Sequence, residues 1–359
     1  MSDQVLELEA LTVARDFGAV LKLGAPLLTL PRKPDDLALI RFYMGQAHCR
    51  LVEPREALAL LPPAREHFER QSNERLAVEA LDWEASAWGL LEDPKALAME
   101  NDALDRCRNL DPRQPQLEAR ILGHLANMFV VMRAWSLAIS YYEAAVAAAS
   151  QVNDLLQLAK MHHGLGVAYQ RSEHPAEARR HLDKALALYS IESDRSAVYR
   201  VENDLGNILL RAGRLEAAER HLLKALAGAE ELHINRRGRG FILANLGEIC
   251  MRSGRTQEAR GYLEDALALG QAFGERIVVA DASMLLGRLE DGLGHPESSD
   301  DHYRTAIRAL EEIDMPNRLR DCYVEYAQTL ESRGDMRAAY RQLQLALAAE
   351  KTIAAETAG

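Results

Sequence analysis

Small residues recur at a fixed spacing along this chain of 359 residues. One register places glycine or alanine every 40 or 41 positions, and a second register follows it about twelve residues later. Two phased registers over eight periods predict one helix–turn–helix unit that is stacked eight times. The first register is Gly45, Ala85, Ala126, Gly166, Gly206, Gly247, Gly287 and Ala327, and the second is Ala57, Leu97, Ala138, Ala178, Ala218, Ala259, Ser299 and Ala339.

Apolar residues recur at spacings of three and four on both sides of each expected turn, which is the periodicity of helices. In a stacked array each unit contacts only its neighbours, so one long chain needs no single large core. We therefore predict an all-α, right-handed superhelical solenoid of eight helix pairs over residues 35–351. Capping helices precede it over residues 1–34, and a tail over residues 352–359 is expected to fray.

The glycines have two expected roles. Gly166 and its equivalents lie within helices, where glycine costs ~1 kcal/mol relative to alanine. A close approach of the second helix of the unit would offset that cost. Gly213, Gly254, Gly294 and Gly334 follow the first helix of their units. Glycine there accepts a positive φ and ends the helix with little strain.

The order Leu-Gly…Tyr, Gly, Ala, Ala-Leu in these units resembles the tetratricopeptide repeat. The resemblance is strong around Gly166, Gly206 and Gly247 and weaker around Ala85, where Leu104 replaces the late alanine. The period exceeds the usual 34 residues. Long repeats of this kind resemble kinesin light chain, bacterial Rap-type regulators and peptide-pheromone-responsive transcription factors. In the unit of Gly287, Glu290 departs from the pattern, and we expect it to reach solvent or a partner.

Composition narrows the class of partner and the compartment. The net charge of −11 argues against direct nucleic-acid binding, which favours basic surfaces. No segment has the 18–20 uninterrupted apolar residues of a membrane helix, so no membrane partner is expected. The four cysteines form no CxxC motif and predict reduced, partly buried thiols. These features predict a cytoplasmic protein.

Enzymatic motifs do not emerge. The chain has no P-loop, HExxH, paired-cysteine zinc site or GxSxG, and Gly238-Arg-Gly240 does not follow a strand. We predict no catalytic residue, no cofactor and no metal site. His124 and His163, with Asp204, could supply metal ligands in principle, but a polar surface lining is the favoured interpretation.

A solenoid presents a concave face lined by the first helix of each unit, and such faces bind proteins or peptides. Asparagine amides can hydrogen-bond a peptide backbone, and arginine or lysine can bind a carboxylate. The register predicts a ligand-binding groove formed by Arg120, Asn127, Lys160, His163, Arg200, Asn203, Asn207 and Asn245.

The groove is expected to become acidic in later units, through Glu248, Asp281, Asp291, Asp321 and Glu325. An acidic end would suit a basic residue of an extended ligand. A basic run at Arg236, Arg237 and Arg239 falls on a connection and is interpreted as a solvated surface.

Two functions follow from the sequence. The first is a non-enzymatic scaffold that recognises an extended protein or peptide segment in its concave groove. The alternative is the ligand-sensing part of a bacterial helix-turn-helix transcription regulator that responds to a signalling peptide, with the DNA-binding domain absent from this sequence. The choice between a monomer and a homo-oligomer stays open.

Overall fold

The computed structural model describes residues 2–30, 32–231 and 238–358, with side chains as far as residue 351. The chain divides into two compact units, unit 1 over Met1–Glu192 and unit 2 over Ser193–Gly359. The described residues form eighteen α-helices and no strand. The predicted all-α architecture of repeated helix pairs is confirmed.

Unit 1 contains five consecutive helix pairs, of which the first lies within the predicted N-terminal cap. The pairs are α1 (Asp3–Val13) with α2 (Phe17–Leu27), α3 (Pro34–Arg50) with α4 (Pro54–Arg70), α5 (Glu74–Leu90) with α6 (Lys95–Arg108), α7 (Pro115–Val131) with α8 (Trp135–Gln151), and α9 (Leu155–Arg171) with α10 (Pro175–Ile191). Proline at the first helical position of α3, α4, α7 and α10 is already set to a helical φ.

Unit 2 contains four helix pairs. They are α11 (Arg195–Arg211) with α12 (Leu215–Glu231), α13 (Arg239–Arg252) with α14 (Thr256–Phe273), α15 (Arg276–Gly292) with α16 (Pro296–Glu311), and α17 (Pro316–Ser332) with α18 (Met336–Ala358). The backbone of residues 352–358 continues α18, and fraying of the tail stays a prediction.

The small register lies where the two helices of a pair meet. An added Cβ at Gly166 would lie 2.5 Å from Cγ of Leu182, and one at Gly206 would lie 2.6 Å from Cγ of Leu222. Real Cβ atoms do not approach carbon so closely, and glycine is therefore required by packing. The contact inferred from the sequence is confirmed.

Each first helix is followed, two residues after its end, by a residue with left-handed backbone. Gly213, Gly254, Gly294 and Gly334 have φ of 72°, 74°, 78° and 84°, which confirms the predicted role of these glycines. The five earlier pairs place non-glycine residues at the same register position, with φ between 57° and 64°: Arg15, Val52, Glu92, Arg133 and Glu173. These positions could not be predicted from the sequence, because only glycine is a clear indicator of a left-handed residue.

Buried residues form a series of local clusters within each unit, as expected of a stacked array. Glu290 is buried in unit 2, where Arg260 Nη1 lies 2.5 Å from Oε1 and His295 Nδ1 lies 2.8 Å from Oε2. The expectation of a partner for Glu290 is therefore correct. All four cysteines are free and buried. Within the described residues, no helix has the length and apolar character needed to cross a bilayer.

Candidate functional site

Arg120, the first predicted groove residue, belongs to a charge network inside unit 1. Its Nε donates to Asp82 Oδ2 at 2.6 Å, and its Nη2 lies 3.6 Å from Glu79. Its guanidinium also lies 5.2 Å from the centre of the Trp83 ring. The side chain is mostly covered, so intramolecular partners already use much of its hydrogen-bonding capacity.

Two buried carboxylates, Asp82 and Glu100, lie beside His124. Its Nδ1 is 2.7 Å from Asp82 and 3.4 Å from Glu100. Burial raises the pKa of a carboxyl group, but for Asp82 the neighbouring His124 and Arg120 outweigh burial and hold the pKa well below its usual range. Burial, and then the carboxylate of Asp82, raise the pKa of Glu100 well above its usual range. This opposition favours a protonated Glu100 beside an ionised Asp82.

The two carboxylates and His124 could in principle bind a metal ion. Asp82, Glu100 and His124 offer ligand atoms within 4.8 Å of one another, and neither oxygen of Glu100 accepts a hydrogen bond from a donor in the described part of the chain. Sequence spacing instead grouped His124 with His163 and Asp204, a pairing that missed both carboxylates. Because Arg120 already neutralises Asp82, the cluster forms a balanced internal network without requiring a cation.

A cavity of about 530 Å³ opens beside this network in unit 1, and we call it the unit 1 cavity. Its walls are mainly apolar, although Leu90, Val131 and Met132 at its lining are exposed to solvent. The lining includes Arg50, Trp83, Leu90, Leu97, His124, Asn127, Met128, Val131 and Met132. The sequence analysis named only His124 and Asn127 of this set among polar surface residues.

The other predicted residues of unit 1 differ in exposure. Asn127 is exposed, and its Oδ1 accepts a hydrogen bond from Tyr142 Oη at 2.5 Å. Lys160 and His163 are half-buried, and the ring of His163 packs edge-on against Tyr189 at a centroid distance of 6.2 Å. All three side chains lie on first helices, α7 and α9, as the register predicted.

In unit 2 the structure brings three predicted asparagines to neighbouring first helices. Asn245 Nδ2 on α13 donates to Asn207 Oδ1 on α11 at 2.6 Å. Asn203 lies one turn before Asn207, and its Oδ1 is buried without a hydrogen-bond donor among the described residues. Arg200 lies one turn before Asn203, is exposed, and donates to Ser196 O of its own helix at 3.3 Å. Arg200 and these amides form a polar surface that we call the α11–α13 surface.

The later carboxylates of unit 2 do not make an uncompensated acidic end. Each carboxylate has an arginine within 4 Å that balances its charge. The prediction of an acidic end is therefore corrected. The pairs are Glu248 with Arg252 at 3.4 Å, Asp281 with Arg318 at 2.6 Å, Asp291 with Arg333 at 2.5 Å, Asp321 with Arg320 at 2.7 Å, and Glu325 with Arg288 at 3.9 Å. Sequence registers place carboxylates on a face but do not show which arginines reach them.

Of the predicted basic run, Arg236 and Arg237 lie outside the described residues. Arg239 begins α13 and its Nη2 lies 2.7 Å from Glu230, an ion pair on the surface of unit 2. Arg239 is half-buried in the first turn of α13 and its Nε is buried, so the interpretation of Arg239 as a solvated residue of a connection is corrected.

Comparison with known families decides the class of the repeat. The profile described as tetratricopeptide repeat matches residues 117–191, 197–272 and 238–312, which together exceed half of the chain. The chain belongs to the tetratricopeptide repeat family. No curated protein sequence matches the chain significantly.

Solved tetratricopeptide proteins share the fold. The apo form of RapI matches with a TM-score of 0.73 and 12% identity, covering 98% of this chain and 97% of RapI. The apo form of the quorum sensor NprR from B. thuringiensis matches with a TM-score of 0.67 and 13% identity, covering 97% of both chains. A Rap protein complexed with competence and sporulation factor matches with a TM-score of 0.59 and 17% identity, covering 89% of this chain and 99% of the Rap protein. The predicted resemblance to Rap-type regulators is confirmed at the level of fold.

Proposed function

We propose that this tetratricopeptide protein is a non-enzymatic regulator that binds an extended peptide or protein segment through the polar faces of its first helices. The proposal rests chiefly on one observation, the asparagine cluster of the α11–α13 surface. Among the solved structures of similar fold, one Rap protein is described in complex with competence and sporulation factor and another with the Phr* peptide. A signalling peptide is therefore the class of ligand that we propose.

The asparagine cluster supports this function through its unsatisfied polar atoms. A buried acceptor without a donor costs about 1–3 kcal/mol, so Asn203 Oδ1 favours a ligand that brings an N–H group. An extended peptide has backbone N–H and C=O groups that its own conformation leaves unpaired. Asn207 and Asn245 hold each other in place, which orders the surface before any ligand arrives. Arg200 supplies an exposed guanidinium beside it for an acidic group.

In this proposal unit 1 also binds an extended segment, through polar residues of its own. Lys160 supplies a positive charge, and Asn127 and His163 supply hydrogen-bonding groups. Arg120 takes a supporting role, because its guanidinium pairs with Asp82 and Glu79. The four buried thiols fit the proposed cytoplasmic location; burial raises the pKa of Cys49 to about 12, which disfavours the reactive thiolate.

The experiment begins with selection of binders by the immobilised full chain. The library presents random 15-residue peptides with free C-termini on phage, and one selected peptide is then synthesised and its Kd measured. We expect the double variant Asn203→Ala, Asn207→Ala to weaken binding by about tenfold or more, since two amide contacts are lost. Asn317→Ala, which removes an exposed amide from the start of α17 in the same unit, is the control. Failure to select any binder, or an unchanged Kd in the double variant, would contradict the proposal.

A further inference from the structure

Exposed apolar side chains gather at the unit 1 cavity, near the ends of the first helices α5 and α7. Leu90 is the last residue of α5, Val131 is the last residue of α7, and Met132 follows it. All three are exposed and line the cavity. Apolar groups that gather at one exposed place indicate a binding site. No large apolar residue ends a first helix of unit 2, where the last residues are Arg211, Arg252, Gly292 and Ser332.

The cavity has the size and the lining of a small-molecule site. Its volume of about 530 Å³ falls within the range of about 300–1,000 Å³ that is usual for such sites. Leu97 and Met128 are half-buried and extend the apolar lining. Met128 lies one helical turn before Met132, and methionine side chains adapt their shape to the group that they contact. The cavity therefore suits a compact molecule that is mainly apolar.

Two polar atoms of residues in the lining lack partners within the described part of the chain. Trp83 is buried, and its Nε1 has no acceptor there. His124 contacts Asp82 at 2.7 Å and Ser86 at 2.9 Å through Nδ1, and no described residue binds its Nε2. Because Nδ1 donates to the ionised Asp82, Nε2 of the neutral ring is an acceptor. The two ring centres lie 5.6 Å apart, so an unused donor and an unused acceptor are neighbours.

The charged residues of the lining leave no net charge for a ligand to neutralise. Asp93 lies 3.7 Å from Lys95, and Arg50 and Glu92 are exposed residues of opposite charge. A charged ligand group would lose hydration in the cavity without gaining a buried counter-charge, which is unfavourable. An uncharged group that both donates and accepts a hydrogen bond fits better, and a hydroxyl group does both.

We infer that the unit 1 cavity binds an uncharged, mainly apolar small molecule that carries a hydroxyl group. The apolar body of the molecule lies among Leu97, Met128 and Val131. Its hydroxyl group donates to His124 Nε2, and the hydroxyl oxygen accepts from Trp83 Nε1. This site is independent of the peptide-binding function proposed above.

The first test uses three probes that share one apolar body: 4-butylphenol, 4-butylanisole and 4-butylbenzoate. Isothermal titration calorimetry gives the Kd of each probe for the full chain at pH 8, where a histidine of ordinary pKa is neutral. Methylation in the anisole removes the hydroxyl donor, and the benzoate replaces the hydroxyl group with a charge. We expect 4-butylphenol to bind and each analogue to bind about fivefold or more weakly, since a hydrogen bond is lost or a charge is buried.

The second test locates the site with one substitution at the edge of the cavity. Val131→Trp adds an indole there and should weaken 4-butylphenol binding by about fivefold or more, because the indole occupies the space of the ligand. Ile191→Trp is the matched control. Ile191 is also the last residue of its helix, α10 of unit 1, is 66% exposed against 69% for Val131, and lies outside the cavity lining. The control should bind 4-butylphenol as the original chain does.

The three probes test the inference without altering the protein, so a folding defect in a variant cannot hide the answer. If 4-butylphenol does not bind, or if either analogue binds as tightly, the inference is overturned. Unchanged binding of 4-butylphenol by Val131→Trp would place the site outside the unit 1 cavity and would also overturn it.

Discussion

At the scale of single residues, the turn after each first helix depends on backbone conformation alone. Gly254 has φ of 74° and an added Cβ would contact nothing within 4 Å, whereas Gly261 lies inside α14 with equally open space. Gly254→Ala should lower the free energy of unfolding by about 1–2 kcal/mol through left-handed strain. Gly261→Ala should raise it by about 0.5–1 kcal/mol through helix propensity. Urea denaturation measures both, and shifts of the same sign would contradict the account.

A buried histidine pair makes stability depend on pH. His162 and His181 have Nδ1 atoms 3.0 Å apart in unit 1. Burial, with positive charge from His181, Lys184 and Arg180, lowers the pKa of His162 to about 4. The unfolded chain therefore binds a proton between pH 6.5 and 4 that the folded chain does not, and stability is lost as pH falls through that window.

We expect this pair to destabilise the chain by about 1–3 kcal/mol between pH 6.5 and 4. Denaturant titrations at several pH values give the slope of stability against pH. The slope is proportional to the number of protons taken up on unfolding. His162→Gln should reduce that number by about one, whatever the effect of the substitution on stability at pH 7. An equal slope in the variant and the original chain would show that His162 is not held neutral.

At the scale of helix pairs, the small register sets the distance between first and second helices. Gly206→Ala places a Cβ 2.6 Å from Leu222 Cγ and 3.4 Å from Ala218 O, so it should destabilise the chain by about 1–3 kcal/mol. In the background of Leu222→Ala the added methyl has room, and the same change should cost much less. A double-mutant cycle in thermal unfolding tests this, and additive effects would mean that the two side chains do not meet.

Some features of the helix pairs could be predicted from the sequence and others could not. Register, helix periodicity and the glycine turns of unit 2 were predictable, because small residues at helix crossings, apolar residues at helical spacing and glycine at a left-handed position are all visible in the sequence. The buried network of Asp82, Glu100 and His124 was not, since polar residues on a helix normally indicate a solvated face. The weak match of the pair around Ala85 was a partial signal, because α5 and α6 carry Asp82 and Glu100.

For the chain as a whole, the sequence identified the asparagine positions of the α11–α13 surface but not their partners. The pairing of Asn207 with Asn245 and the unpaired Oδ1 of Asn203 depend on side-chain contacts between helices about 40 residues apart. The unit 1 cavity was invisible for the same reason, since α3, α5 and α7 all contribute to it. The same holds for ion pairs. The sequence predicted the positions of carboxylates such as Asp281 but not which arginines pair with them.

The central claim is that polar residues on the first helices bind an extended peptide. The most direct measurement is the Kd of a selected peptide for the double variant Lys160→Ala, Arg200→Ala, with circular dichroism to verify helix content. The account predicts at least tenfold weaker binding and unchanged helicity, because each lost charged contact is worth about 1.5–3 kcal/mol when desolvated. Lys22→Ala, Arg70→Ala removes the same charge from exposed positions of α2 and α4 and should bind normally. An unchanged Kd in the Lys160, Arg200 variant would place recognition elsewhere and contradict the claim.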